Sequence, residues 1–538
     1  MVTLDVEMEG FDMFDRISAL FGKCGLGEIC GEIASVSGGL MHKMYKVCST
    51  SGTYAVKCLN EEIMKRPGVF ENYAAAEKLE KILEERGIPI VPALSFDGKK
   101  MIECEGKYFY IFRWQEGSVT DARTVTREQC EKAGEILGRI HGIQAHNVEP
   151  CEPEKSEIDF HAYLSSAQER NNCIADLLSE SMDLLSEAQE KRNEARMRLP
   201  SMLAIDDPDM DPKNIMWHNG EPYVIDLECL SRSNPIATCI DLALQWAGTA
   251  NGEYKEENLD AFLSGYLRAY DNGFRSYDEL FGIAYAWVDW LEYNLRRAMG
   301  MEGSDEAEIR LGEEEVRNTI GRIRYLRSIE NDVRKTLGNL PPPDPKKYKT
   351  HDDSLCYIDL VFEGELTDLP EYTLPEGYRL VHYRDGDKKD WIEIELSSEE
   401  VLSREHGEAS WARYYGEREK ELPERMFFIE DASGEKVATA TAFYDIHKEP
   451  DPEEGQLHWV AVKKTAQGKG LSKPLITYVL RVMKDLGYRR VKIHTQTNTW
   501  LACKIYYDLG FRPEKESLRK DRFGWKMVAL LTGREMLP

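Results

Sequence analysis

The segment LGNLPPPDPKKYKTHDDS, Leu337 to Ser354, sets three successive prolines behind a long helical pattern. Proline lacks a backbone N–H and fixes φ, so a helix stops there and a stiff spacer follows. The chain has 538 residues, more than one hydrophobic core ordinarily serves. The expected division is a first domain over 1–338, a Pro-rich linker over 339–356 and a second domain over 357–538.

The two parts differ in texture. CGEIASV, KMYKVCS and TYAVKCL read as strands separated by Gly and Ser. NYAAAEKLEKILEERG reads as an amphipathic helix ended by Gly87, and KMIECEG with KYFYIFRW as a hairpin. From Thr126 helical patterns dominate, among them REQCEKAGEILGRIHGI and YDELFGIAYAWVDWLEYNLRRAMG. A β-rich lobe followed by a helical lobe is an α+β arrangement. Beyond the prolines, RMFFIED and KVATATAFYD form an expected antiparallel pair. QLHWVAV, LSKPLITYVLRVMKDLG, RRVKIHTQ and WLACKIYYDLG then alternate as strand, helix, strand and helix, an α/β unit.

The formal charge of −27 opposes binding to nucleic acid or anionic membranes; it either serves solubility or attracts a cationic small-molecule acceptor. No apolar run reaches the length of a membrane span, and MVTLDVEMEGFD has neither the basic start nor the apolar core of a signal peptide. A cytoplasmic chain is expected. Its 12 cysteines form no C-x-x-C pair and read as reduced thiols. Oligomeric state is not legible.

Carboxylates crowd AIDDPDMDPKNIMWHNGEPYVIDLE: Asp206, Asp207, Asp209 and Asp211, then Asp226 and Glu228. A calcium loop beginning at Asp207 would need Gly at its sixth position and Glu at its twelfth, where Pro212 and His218 stand. Asp209 to Asn214 instead has the spacing D-x-x-x-x-N, and Asp226 follows after a Gly-containing turn. That order suits phosphoryl transfer. One carboxylate orients and deprotonates a hydroxyl; an amide oxygen and a second carboxylate hold Mg²⁺ on nucleotide phosphates. Upstream, Lys57 ends the strand TYAVK, Glu77 sits in the following helix, and Gly38-Gly39 lie between two strands. YIFRWQEG stands where a hinge would offer backbone groups to a nucleobase.

Residues 30–336 resemble the aminoglycoside phosphotransferase (choline-kinase-like) family, chiefly through DPDMDPKNIMW and VIDLE, with LGRIHGI and WLEYNLRRAMG in support. The resemblance implies a protein-kinase-like bilobal domain. It makes Asp209 the catalytic base, Asn214 and Asp226 the Mg²⁺ ligands, Lys57 the contact to the α and β phosphates of ATP or GTP, and Glu77 the partner of Lys57. Gly38 and Gly39 fall in its phosphate loop. Asp207 stands where the family usually has His, and Asp211 where it often has another. Lys213 either neutralises local charge or is solvated, and Asp289 and Glu292 either meet a cationic acceptor or form the exposed acidic face of a helix.

VAVKKTAQGKGLSKPLITYVL places a Gly-rich loop between a strand and a helix, where backbone N–H groups and the helix dipole can cradle a pyrophosphate. With NTWLACKIYYDLGFRP it resembles the GNAT acetyltransferase superfamily over about 375–525. The matching positions are Gln467, Gly468, Gly470 and Ser472, then Asn498, Ala502, Tyr506, Gly510 and Phe511; Ser472 departs from the usual Gly or Ala. The resemblance implies acetyl-CoA held by Gln467, Gly468, Gly470 and Ser472 through backbone groups. Val460 and Val462 would pair with the pantetheine arm, Asn498 would touch it, and Tyr506 would protonate the leaving thiolate. His458 is a weak candidate base beside a water relay.

The expectation is a bifunctional group-transfer enzyme: O-phosphorylation of a small-molecule hydroxyl, with an aminoglycoside-like amino-alcohol as one acceptor class, and N-acetylation of an amine. Its rivals are a metabolic kinase for choline, a sugar or an amino-alcohol with an independent acetyltransferase, and a sensor in which one domain only binds its ligand.

Overall fold

A computed structural model describes residues 2–36, 42–143, 155, 157–302, 305–342, 351–449 and 451–537. The expected phosphate-loop glycines, Gly38 and Gly39, and residues 343–350 of the expected linker lie outside the described residues. The chain packs as two compact units, Met1–Ile143 with Ile205–Ala269, and Gln144–Ala204 with Tyr270–Pro538.

In the first unit, β1 (Ala34–Val36), β2 (Lys43–Ser49), β3 (Gly52–Cys58), β4 (Ile102–Cys104) and β5 (Lys107–Arg113) form one antiparallel sheet in the order β1-β2-β3-β5-β4. The turn from β4 to β5 is made by Glu105 and Gly106, both at positive φ, as a two-residue hairpin with right-handed twist requires. A helix over Val2–Cys24 covers one face. Its Ile17, Leu20 and Phe21 recur at helical spacing and are buried against Val47, Val56, Phe109 and Ile111. Burying each such side chain contributes about 1.5–3 kcal/mol. Strand alternation sends Tyr54, Val56 and Cys58 into this core, which turns Lys57 to the opposite face. The helix Val69–Glu85 follows and ends before Gly87, whose φ of 66° reverses the chain.

The rest of this unit carries β6 (Ser118–Val119), β7 (Ala204–Asp206), β8 (Ile215–His218), β9 (Glu221–Val224) and β10 (Ser231–Ser233). β6, β8 and β9 form an antiparallel sheet. The helix Arg127–His141 starts at a capping box, Thr126 with Gln129. It meets the helix Glu256–Ala269 at glycines: a Cβ on Gly134 would come within 2.0 Å of the Phe262 carbonyl oxygen, and one on Gly265 within 2.0 Å of that of Glu131. Only glycine permits that approach.

The second unit joins helices to a sheet. Ala175–Arg198, Trp287–Ala298 and the 33-residue helix Glu306–Gly338 lie in the helical part. The sheet contains β11 (Asp359–Glu365), β12 (Arg379–His382), β13 (Met426–Glu430), β14 (Lys436–Phe443), β15 (Glu454–Val462), β16 (Arg490–Gln496) and β17 (Arg512–Pro513), in the order β12-β13-β14-β15-β16-β11-β17. β15 and β16 run parallel, as their crossover helix Ser472–Asp485 requires. They pair only from Glu454–Gln456 to Arg490–Lys492. Beyond that point β15 carries a register shift against β14, and Trp459 takes φ 45°. The bulge lies just past the end of the pairing with β16.

The α+β first part and α/β second part are as the sequence implies. The described cysteines are free thiols, and no helix among the described residues is long and apolar enough to cross a membrane.

Candidate functional site

Tertiary structure divides the crowded carboxylates among different partners. Asp206, wholly buried, accepts from His141 Nε2 at 2.9 Å, from Thr238 Oγ1 at 2.5 Å and from the Ser233 hydroxyl. Burial pushes its carboxyl up, but His141 and the two hydroxyls outweigh burial and hold it below the ordinary value. His141 comes from the helix fixed by the Gly134 contact, so that helix anchors the acidic loop. Asp207 is buried too. Its Oδ1 accepts from the Asp209 N–H at 3.3 Å, while Oδ2 has no hydrogen-bond partner among the described residues. Burial, then the charges of Asp206 and Asp209, push the pKa of Asp207 well up at the position where the family usually has His.

Asp209 is half-exposed. Its carbonyl accepts from Asn214 Nδ2 at 2.8 Å and from the Asp211 N–H at 2.8 Å, and this folds D-x-x-x-x-N into one turn. Asp211 caps the short 3₁₀ turn Pro212–Asn214. Lys213 Nζ reaches Asp209 Oδ1 at 3.2 Å and Asp211 Oδ2 at 2.8 Å, the neutralising role expected of it. Burial still raises the Asp209 pKa; Lys213 opposes this, and Asp211 and Asp226 add to it. The field of Asp226 is thus felt at Asp209. The Ile225 N–H donates to the Asn214 carbonyl at 2.9 Å, which holds Asp226 next to the turn. Asp226 has φ 62° and ψ 58°, a left-handed conformation that Asp tolerates better than most side chains.

Lys57 donates to Asp226 Oδ1 at 2.8 Å and lies 2.7 Å from Glu228 Oε1. This corrects the expectation for Glu77, which instead accepts from the Tyr110 hydroxyl at 2.8 Å. Burial would lower the Lys57 pKa, but Glu228 and Asp226 raise it, and the ammonium persists. Glu228 also binds His42 Nε2 at 3.3 Å and the Tyr73 hydroxyl. His42 Nδ1 accepts from the Asn60 N–H at 3.0 Å, so the ring hydrogen sits on Nε2 and points at Glu228. Sequence reasoning missed Glu228, His42 and Tyr73 as site residues; Glu228 stood within VIDLE, two residues after Asp226, where β-like alternation would have turned both side chains to one side.

Asn214 and Asp226 offer two hard oxygens. No group of three His, Cys, Asp or Glu side chains among the described residues is gathered for a metal. A two-ligand set that leaves positions for phosphate and water fits Mg²⁺. The helical-lobe acids are already engaged: Asp289 pairs with Arg192, and Glu292 accepts from the Tyr163 hydroxyl at 3.2 Å.

A cavity of about 460 Å³ lies between the end of β15, the start of the helix Ser472–Asp485 and the segment Thr499–Tyr506. Val460, Val462, Gln467, Gly468, Gly470, Ser472 and Tyr506 all line it. Among the described residues, β15 has no strand partner on its β16 edge from Leu457 onward, which leaves main-chain groups for an extended ligand. Gly468 and Gly470 have φ of 72° and 79°, which the loop needs to turn into the helix Ser472–Asp485. The first N–H groups of that helix have no intrahelical acceptors. Gln467 is corrected in role: its N–H donates to the Lys463 carbonyl at 3.1 Å and its Nε2 to the Val462 carbonyl at 2.9 Å, so it shapes the loop. Asn498 is corrected in place. It is buried beside the cavity, next to the lining residue Thr499, and its carbonyl accepts from the Asp352 N–H at 2.9 Å. Burial pushes the Tyr506 hydroxyl up. Burial lowers the His458 pKa to about 3, which disfavours it as a base, and it stacks on Phe443 with ring centroids 5.5 Å apart.

Residues 32–280 match the model of the phosphotransferase enzyme family, and residues 389–511 that of the acetyltransferase (GNAT) family. The chain joins a phosphotransferase-family domain to a GNAT-family domain. The GNAT domain is similar to the mycothiol acetyltransferase of Pseudarthrobacter chlorophenolicus, 29% identical over 147 residues, which are 27% of this chain and 45% of that protein. It is also similar to the mycothiol acetyltransferase of Corynebacterium aurimucosum, 27% identical over 154 residues, 24% of this chain and 51% of that protein. The chain spans about half the length of these curated relatives. For the phosphotransferase domain, solved structures include spectinomycin phosphotransferase APH(9)-Ia with ADP and spectinomycin, at 12% identity and a TM-score of 0.40 over 60% of this chain and 97% of that one. Choline kinase from Cryptosporidium parvum Iowa II is another, at 13% identity and a TM-score of 0.38 over 57% and 92%.

Proposed function

We propose that the phosphotransferase domain moves the γ-phosphoryl group of ATP or GTP to a small-molecule hydroxyl, and that the GNAT domain moves acetyl from acetyl-CoA to an amine. The gathering of Lys57, Asp209, Asn214, Asp226 and Glu228 in one unit carries the first reading. Lys57, held charged by Glu228, binds nucleotide phosphates. Asp209 orients the acceptor hydroxyl and takes its proton. Asn214 and Asp226 would hold Mg²⁺, which supplies charge neutralisation on the triphosphate.

The lined cleft supports the second reading. The turn Gly468–Ser472 cradles the pyrophosphate, the free edge of β15 holds the pantetheine arm, and Tyr506 protonates the departing thiolate. Two group-transfer domains and the charge of −27 favour a cationic amino-alcohol acceptor, an aminoglycoside among them. The test incubates the protein with γ-labelled ATP or GTP and Mg²⁺, and separately with labelled acetyl-CoA, against aminoglycosides, choline and amino sugars. Labelled product in both assays is expected. Label in neither rejects this acceptor class.

A further inference from the structure

Acetyl transfer to an amine needs a proton acceptor, because an ammonium has no lone pair to attack a thioester. Among the described residues, four ionisable side chains line the cavity: Tyr372, Glu400, Lys473 and Tyr506. Glu400 is the one carboxylate among them. It follows the helix Lys388–Ser397, and its N–H donates to the Glu395 carbonyl at 3.0 Å, which fixes the turn that presents it.

Glu400 has a partner from outside the family-matched region. His351 Nε2 lies 3.1 Å from Glu400 Oε1. On its other side, His351 Nδ1 is 3.5 Å from Asn498 Nδ2. His351 begins a buried strap. The Asp352 N–H donates to the Asn498 carbonyl at 2.9 Å, and the Leu203 N–H to the Ser354 carbonyl at 2.7 Å. Asp352, Ser354, Leu355 and Cys356 are all buried. The stretch read from sequence as linker therefore meets Glu400, which lines the cavity. Beside the pair, Asn498 Oδ1 is enclosed and has no hydrogen-bond partner among the described residues.

We propose that Glu400 takes the proton of the acceptor amine in the GNAT domain, and that His351, from the strap joining the two domains, positions Glu400 for that step. The inference rests on the acetyltransferase reading. The Glu400 carboxylate removes one proton from the ammonium and becomes a neutral acid. The freed amine lone pair forms the C–N bond to the thioester carbonyl. The tetrahedral adduct collapses, the C–S bond breaks, and the thiolate leaves with the bonding pair. Tyr506 gives it a proton and regains one from the adduct nitrogen. Glu400 then releases its proton to water, the single proton the net reaction yields. Glu400 and Tyr506 line the same cavity.

The experiment compares wild type, Glu400→Gln, His351→Ala and the double variant. Acetyl-CoA binding is measured by calorimetry, and acetylation by thiol release with aminoglycosides, amino sugars and polyamines as acceptors. The expected result is acetyl-CoA affinity within about threefold in all four chains, with turnover down about 10²-fold in Glu400→Gln. His351→Ala is expected to lower kcat about tenfold and to add nothing in the double variant, since it acts through Glu400. Glu400→Gln turning over at the wild-type rate overturns the assignment alone. Additive losses overturn the role of His351. Failure of the wild type to bind acetyl-CoA overturns the acetyltransferase reading and the assignment with it.

Discussion

Lys57 Nζ stands 2.8 Å from Asp226 Oδ1, joining a strand of the N-terminal sheet to a left-handed residue 169 positions later in the chain. The ammonium is shared with Glu228, so one cation holds two carboxylates together. Replacing it with Met leaves two buried or half-buried negative charges facing each other. Lys57→Met is expected to lower phosphoryl transfer at least about 10²-fold and to cost about 3 kcal/mol of stability. Turnover and the urea midpoint measure the two effects.

Glu228 and Glu77 separate the observed arrangement from the expected one. Glu228 gathers Lys57, His42 and Tyr73, whereas Glu77 bonds only Tyr110 in the described contacts. Glu228→Gln should raise the nucleotide Kd about tenfold or more, and Glu77→Gln should cost about 1 kcal/mol of stability with a far smaller change in Kd. Fluorescent-nucleotide titration of both variants compares them; a larger effect at Glu77 would reverse the assignment.

Asp209→Asn keeps the main-chain carbonyl that Asn214 needs and removes the proton acceptor. Nucleotide binding is expected within about threefold of wild type while kcat falls 10²–10⁴-fold, the usual span for a lost general base. An unchanged kcat would move the chemistry elsewhere.

Gly470 has room for a methyl group, the nearest atom being Pro375 Cγ at 3.9 Å, but its φ is 79°. Gly470→Ala is therefore expected to strain the cradle by about 1–2 kcal/mol, a roughly tenfold rise in the acetyl-CoA Kd. Calorimetry against Gly434→Ala, also at positive φ but in the turn between β13 and β14, separates local strain from loss of the site.

Asp241, on the helix Pro235–Trp246, has its carboxyl raised to about 6 by burial; Gln245 opposes the rise and Asp206 adds to it. A carboxyl that binds its proton more tightly when folded stabilises the fold below its ordinary unfolded pKa of about 4 and loses that contribution as pH rises through 6. Wild type should weaken between pH 4 and 6 at this site. Asp241→Asn removes the ionisation, so its stability relative to wild type should rise by about 1–2 kcal/mol from pH 4 to pH 7. Chemical denaturation at the two pH values reads the difference; no change would place the Asp241 titration elsewhere.

Local chemistry made much of this legible in the sequence. D-x-x-x-x-N folds on its own hydrogen bonds, from Asn214 to the Asp209 carbonyl and from Lys213 to the Asp211 carboxylate, so spacing alone marks it. The Gly468–Gly470 turn is likewise set by residues that tolerate positive φ. The partner of Lys57 was not legible, because a lysine stem reaches any carboxylate that the packing of β3 brings near, and sequence order favoured Glu77. Nor was the fate of Asp206 against Asp207. Adjacent in sequence and equally acidic in water, they part because the fold gives one of them His141 and two hydroxyls and leaves an oxygen of the other with none. The sequence by itself determined the elements, their order and the short-range turns that carry catalytic side chains, since those depend on propensity and neighbours. Tertiary structure decided which charges meet, which are buried, and that His351 meets Glu400 at the cavity, because pairing and burial depend on residues far apart in the chain.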